Sequence, residues 1–247
     1  MNNLLLAIQF FTIIPVNPRF REKEGQLSGS IIYFPLVGLL LGVILAALNF
    51  VLSYIFISQV LINVLLVVAL TILTGGLHLD GLADTFDALA SRKDREGLLE
   101  IMRDPRIGTI GALSLISVIL LKVVILSTLN LAEKNLALIL MCTLSRWSLI
   151  LPIYSFPYAR SEGKAKDFFA QFNFTAFIIS AVGVLIFTIL VLNWKGLFVF
   201  TAMLLFTFIF NKFMNKKIGG ITGDILGATL EINEVIILLC MAAIFGA

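Results

Sequence analysis

The sequence predicts an all-α polytopic membrane bundle of about seven transmembrane helices, with an N-terminal interfacial or re-entrant helix and a cytoplasmic helical loop. Three observations predict it. Of 247 residues, 60% are hydrophobic and 13% charged, where soluble domains carry about 25% charged residues. Apolar runs recur at lengths close to the roughly 20 residues that cross the hydrocarbon. The polar segments between them alternate in basic content, as the positive-inside rule requires. The length suits one membrane-embedded domain, 1–247, with no separate soluble domain.

The first apolar stretch, 4–16, is too short for an ordinary span and runs into Pro15 and Pro18. It has no basic lead-in and no clear cleavage site, which argues against a removable signal peptide. It is the predicted interfacial or re-entrant helix. Seven spans follow at 31–57, 60–76, 110–129, 136–153, 177–192, 196–210 and 232–245.

Fourteen of the 18 basic residues lie in four segments, 17–30, 77–109, 154–176 and 211–231, all on one side of a seven-span chain. The connections on the other side carry Lys134 and Lys195. The rich side is therefore cytoplasmic, and the protein is expected in the cell (inner) membrane with its motif loops facing inward. A net charge of +3 implies no nucleic-acid surface. Cys142 and Cys240 lie in apolar runs without metal-ligand spacing and read as small buried residues.

Two basic residues remain, Lys122 and Arg146, both inside spans. Charges at that depth cost at least about 2.5–3.5 kcal/mol and usually face a partner or a cavity. Lys122 reads equally as a substrate contact or as a lysine that snorkels or forms a salt bridge within its own helix. Arg146 lies in the cytoplasmic half of its span and is placed to meet an anionic ligand.

The chemistry concentrates in three motifs. In GGLHLDGLADTFDAL, 75–89, a helix puts Asp80, Asp84 and Asp87 on one face at i, i+4 and i+7. Like charges on one face repel, and a divalent cation removes that penalty. Magnesium suits the face, since it takes oxygen ligands and commonly one or two carboxylates with substrate phosphates. His78, the one histidine, is a base, a substrate contact or a cap of the span end.

The second motif, IMRDPRIGTIG, 101–111, offers Arg103 and Arg106 as forks for phosphate oxygens and Asp104 as a further metal ligand. The third, GGITGDILGATLEINE, 219–234, leads through a glycine-rich turn at Gly223 into a helix start, with Asp224 and Glu231 seven residues apart on one face. All three fall on the cytoplasmic side at points of membrane entry, where acidic ligands and arginines can converge as phosphoryl transfer requires.

These three strings resemble the signatures of the cobalamin synthase (adenosylcobinamide-GDP ribazoletransferase) family, and FFTIIPVNP and IIYFPLVGLLLG resemble its N-terminal region, so the likeness runs from about Phe10 to Glu234. The resemblance implies a magnesium-dependent membrane transferase. It would join adenosylcobinamide-GDP to α-ribazole or its 5′-phosphate, giving adenosylcobalamin or its phosphate and releasing GMP. The family's acidic motif maps onto Asp80, Asp84 and Asp87, its Arg-Asp motif onto Arg103, Asp104 and Arg106, and its third motif onto Gly223, Asp224 and Glu231. On this reading Asp84 and His78 are catalytic, and Arg103, Arg106, Arg146, Lys122 and Gly223 contact substrate. Asp80, Asp84, Asp87, Asp104, Asp224 and Glu231 hold magnesium.

A CDP-alcohol phosphatidyltransferase is the nearest alternative, but its Ala-Arg pair is missing after Asp80-Gly81. A transporter would need polar residues along the spans and a repeated half, neither of which is visible. The lower-ligand base and the oligomeric state, a homo-oligomer included, are left open.

Overall fold

The computed structural model describes residues 2–16, 28–55, 58–163, 165–169 and 173–246. Arg19, Arg21, Lys23 and Lys164, part of the basic inventory of the inner side, lie outside the described residues.

Eleven α-helices are described. In order they are α1 (Asn2–Phe11), α2 (Phe34–Ile55), α3 (Gln59–Thr74), α4 (Leu77–Ser91), α5 (Arg95–Ile101) and α6 (Thr109–Ser127). Then come α7 (Leu131–Ser148), α8 (Ile150–Ser155), α9 (Phe174–Leu192), α10 (Lys195–Ile218) and α11 (Gly223–Phe245). Short 3-10 turns, Ser28–Tyr33 and Lys166–Phe169, precede α2 and follow α8. The all-α polytopic prediction holds.

Six segments are long and apolar enough to cross a membrane: Ser28–Ile55, Thr109–Ser127, Leu131–Ser155, Phe174–Leu192, Lys195–Ile218 and Gly223–Phe245. The seventh is the bent pair α3 and α4, which turn by 92° at Gly75-Gly76. Both glycines have positive φ, +63° and +69°, a conformation that costs an L side chain about 1–2 kcal/mol. The polar sequence of α4 turns away at this corner, and we place the spanning part in α3. Large side chains such as Val124, Ile179, Leu190 and Ile209 are exposed on the outer faces, where an apolar solvent stabilises them.

The bundle is centred on α7, whose residues from Leu140 to Ser148 are all buried. Helix α2 lies tightly along it, with Gly38 and Gly42 against the backbone of Cys142 and Ile139, a small-residue seam typical of membrane helices. The N-terminal helix α1 has ten residues, about 15 Å of rise, and buries Leu6, Ala7 and Phe11. It packs beside the Ser28–Tyr33 turn, in keeping with the short non-spanning helix expected there.

Three boundaries differ from the sequence reading. Helix α10 continues to Ile218, past the expected end at 210, because Asn211, Lys212, Asn215, Lys216 and Lys217 lie on a continuing helix beyond its apolar stretch. Helix α11 begins at Gly223, nine residues before 232, with Thr222 accepting a hydrogen bond from the Ile225 N–H as its N-cap. Most of the third motif is therefore helix, and the glycine-rich turn is confined to 219–222. Lys134, expected in a short outer connection, is 1% exposed inside α7, where its Nζ donates to Gln59 Oε1 at 2.9 Å and Asn63 Oδ1 at 2.8 Å.

Candidate active site

The site forms where the end of α3, the starts of α6 and α11, and the end of α10 meet at one end of the bundle. Helix α4 lies across this end and crosses the first turns of α11. The crossing is close because both helices carry glycine there. A Cβ on Gly81 would sit 2.8 Å from the Asp224 carbonyl oxygen, and one on Gly227 would sit 3.0 Å from that of His78. Asp224, from the third motif, is thereby brought beside Asp80 and Asp84 of the first.

The electrostatics record the approach. Asp84 is half-buried, and its carboxyl is pushed up to about 7, first by burial and then by the charges of Asp80, Asp224 and Asp87. Asp80 is exposed at the edge of the same group. Oxygen-only donors under mutual repulsion match the chemistry of magnesium. Among the described residues, no three His, Cys, Asp or Glu side chains converge on one ion position. The fit is thus to an ion that takes one or two of these carboxylates and completes its shell with substrate phosphates.

Asp87, expected at the metal from its helical spacing, is turned to the start of α6. Its carboxylate accepts the Gly108 N–H at 2.6 Å and the Gly111 N–H at 2.7 Å. Both oxygens are engaged with the unpaired amides at the start of α6, where a negative charge is favoured. Asp87 fastens the second motif to the first.

Arg103 is exposed on the loop after α5. Asp104 is joined to Arg106, accepting from its Nε at 2.9 Å and its Nη2 at 2.6 Å. The guanidinium bonds hold Asp104 down to about 2. As placed, Asp104 and Arg106 satisfy each other on the surface.

His78 is 4% exposed and lies against Phe11 of α1, ring centroids 5.5 Å apart. Neither ring nitrogen has a hydrogen-bond partner among the described residues. His78, expected as a base, a substrate contact or a cap of the span end, is thus a buried imidazole under α1, two positions from Asp80 and therefore not on the carboxylate face.

Lys122 and Arg146, expected at the substrate, and Glu231, expected at the metal, are brought together inside the bundle. Lys122 donates to Glu231 Oε2 at 2.6 Å and also bonds Glu234, while Arg146 bonds the second oxygen of Glu234. All four side chains are buried at the junction of α6, α7 and α11. The physical reason is charge balance: two cations and two carboxylates at bilayer depth neutralise one another. Glu234, noted in the sequence only as one turn beyond Glu231, is a full member. Its signal was available, since two span arginine and lysine residues needed two buried carboxylates.

One residue had no signal beyond its place in a basic loop. Arg160 donates from Nη2 to Asp224 Oδ2 at 2.7 Å and reaches the Met102 carbonyl oxygen at 3.5 Å. Its loop is held by a parallel bridge between Tyr158 and Ile221, with Ala159 N–H to Ile221 O and Ile221 N–H to Pro157 O both 2.9 Å. Gly223 begins α11 beside it, facing Ala165.

Fold and site together define a class: an all-helical polytopic membrane protein with an arginine-flanked acidic site at one end of its bundle. The chain belongs to the Cobalamin-5-phosphate synthase family, whose match covers residues 3–242. It is 39% identical over 240 residues to the adenosylcobinamide-GDP ribazoletransferase of Acetivibrio thermocellus, covering 97% of this chain and 96% of that one. The proteins of the same name from Fusobacterium nucleatum and Clostridium novyi are 38% and 39% identical, over 96% and 100% of this chain and 95% and 98% of theirs. No solved structure matches the chain.

Proposed function

We propose that this chain is a magnesium-dependent transferase that joins adenosylcobinamide-GDP to α-ribazole or its 5′-phosphate and releases GMP, at the cytoplasmic face of the inner membrane. The observation that carries the reading is the meeting of the three motifs. Asp224 lies against α4 at Gly81, Asp87 clasps the amides of Gly108 and Gly111, and Arg160 spans Met102 and Asp224. Full-length relatives carry the ribazoletransferase name, and membrane-spanning helices supply the bilayer setting.

One or two of Asp80, Asp84 and Asp224 would hold magnesium together with substrate phosphates, and the ion supplies charge neutralisation at the diphosphate when bound. The nucleophile is a ribose hydroxyl of the ribazole, taken as the 3′-hydroxyl since the 5′-oxygen can carry phosphate. Its oxygen bonds to the phosphorus attached to the corrinoid arm. The bond from that phosphorus to the bridging oxygen breaks, GMP departs with the electron pair, and the hydroxyl proton is released. Asp84, whose carboxyl is raised to about 7 by burial and neighbouring carboxylates, is in its ionised form the group suited to accept that proton. Arg103, exposed at the rim, is free of membrane depth and can steer the anionic substrate.

The test is GMP release by purified protein in liposomes given adenosylcobinamide-GDP and α-ribazole phosphate, with and without magnesium. Magnesium-dependent release with a matching corrinoid product supports the proposal. No release from folded protein removes it.

A further inference from the structure

We infer that Arg160 binds the diphosphate of the substrate, turning its guanidinium from Asp224 to phosphate oxygens when a divalent ion takes that carboxylate. The inference rests on the reading of the site just given and adds a residue that the three motifs do not contain.

Arg160 is set among the acidic groups by its backbone. The parallel bridge of Tyr158 with Ile221 ties the loop to the turn before α11. That seam is tight, since a Cβ on Gly220 would lie 2.6 Å from the Pro157 carbonyl oxygen and 2.8 Å from the Ala159 backbone. The base of the arginine is thus fixed relative to Asp224, whereas its long side chain retains torsional freedom.

The guanidinium has donors to spare. Both of its hydrogen bonds leave from Nη2, to Asp224 Oδ2 and Met102 O. Its Nε is buried and has no partner among the described residues. Arginine offers five N–H donors in a planar fork that matches two phosphate oxygens. A structural strap to one carboxylate leaves most of that capacity unspent, and a diphosphate would use it.

Ion pairing engages three other cations elsewhere. Arg106 is closed on Asp104, and Lys122 and Arg146 are paired inside the bundle. Arg160 is 11% exposed and Asp224 21%, so the pair lies at the lip of the site, where a phosphate can reach it. Its charge also acts, as the smallest of several influences, on Asp84.

A guanidinium and a divalent cation on one carboxylate repel each other. Removing the guanidinium therefore weakens substrate binding without weakening metal binding, a combination that a purely structural strap does not produce. The experiment uses the full chain in liposomes as Arg160→Gln and Arg160→Lys, with Asp84→Asn as control. Manganese affinity is read by electron paramagnetic resonance, and KM and kcat by GMP release.

In Arg160→Gln, manganese binds as tightly as in the unchanged protein or a few-fold tighter. KM for adenosylcobinamide-GDP rises about tenfold or more, from the loss of one bidentate charge-assisted contact, and KM for α-ribazole phosphate does not change. Arg160→Lys keeps the charge without the fork, so its metal affinity is unchanged and its KM rises to an intermediate value. Manganese affinity falling together with substrate affinity in Arg160→Gln, or an unchanged KM in either variant, overturns the inference. If Arg160→Gln does not fold, the KM of Arg160→Lys decides alone. Full metal binding and turnover in Asp84→Asn would instead remove the underlying site reading, which separates the two failures.

Discussion

Gly81 and Asp224 touch through their backbones: a Cβ added to Gly81 would meet the Asp224 carbonyl oxygen at 2.8 Å and its Cα at 2.9 Å. These atoms belong to two helix backbones, so no side-chain rotation relieves the contact. Alanine is intrinsically better than glycine in a helix by about 1 kcal/mol, and local propensity alone would make Gly81→Ala harmless. We expect the opposite. The substitution separates α4 from α11, moves Asp224 from Asp84, and lowers kcat/KM at least tenfold with the protein still inserted and helical. Unchanged activity in Gly81→Ala would show that the crossing does not set the site.

Asp87 and Asp84 should separate in their phenotypes although they share a helix face. Asp87→Ala removes the acceptors of the Gly108 and Gly111 amides and lowers stability by about 1–2 kcal/mol, as loss of a helix cap does. Its manganese affinity stays within a few-fold of the unchanged protein. Asp84→Asn loses metal affinity with little change in melting temperature. Thermal unfolding and metal titration of the two variants, run in parallel, check the division.

The pH dependence follows from Asp84. Its carboxyl is raised to about 7 by burial and by neighbouring carboxylates, so folding favours the protonated form. The stability that this protonation contributes is present at low pH and is lost as pH rises from the unfolded carboxylate range through about 7. A magnesium-free preparation should lose stability on this account between about pH 4 and about pH 7. A divalent ion needs the ionised form, so its binding releases a proton and tightens as pH rises across the same range. Calorimetric titration in buffers of different ionisation enthalpy measures the released proton. Its absence in Asp84→Asn assigns it.

The spans were legible because hydropathy and basic content agree along the whole chain, and an error in one span would have put the basic loops on both sides. The full length of α11 was not, because Asp224, Thr229 and Glu231 are polar and precede the apolar run from 232, so the helix start they mark was kept apart from the span. Inside the bundle polar residues of this helix are satisfied by other helices: Asn233 donates to Ser148 and Thr207, and Thr229 bonds Asn211. The site was legible as a set of strings and a common side of the membrane. What helical period could not show is which face-sharing residue a neighbouring helix claims, as α6 claims Asp87. Arg160 was illegible because its role depends on the pairing of Tyr158 with Ile221, a contact across more than sixty positions of chain.

The buried quartet of Lys122, Arg146, Glu231 and Glu234 gives the last prediction. With two positive and two negative side chains it is neutral as a group, and every member is nearly excluded from solvent. Removing one charge leaves another uncompensated at depth, which costs about 3–5 kcal/mol, whereas removing an opposed pair is far less costly. Lys122→Met should therefore fold poorly, with a clear fall in melting temperature in detergent. The double variant Lys122→Met with Glu231→Gln should recover most of that loss, because Arg146 and Glu234 remain paired. Were Lys122 a substrate contact, as its rarity in a span first suggested, the single variant would keep its melting temperature and raise KM, and the second change would not rescue it.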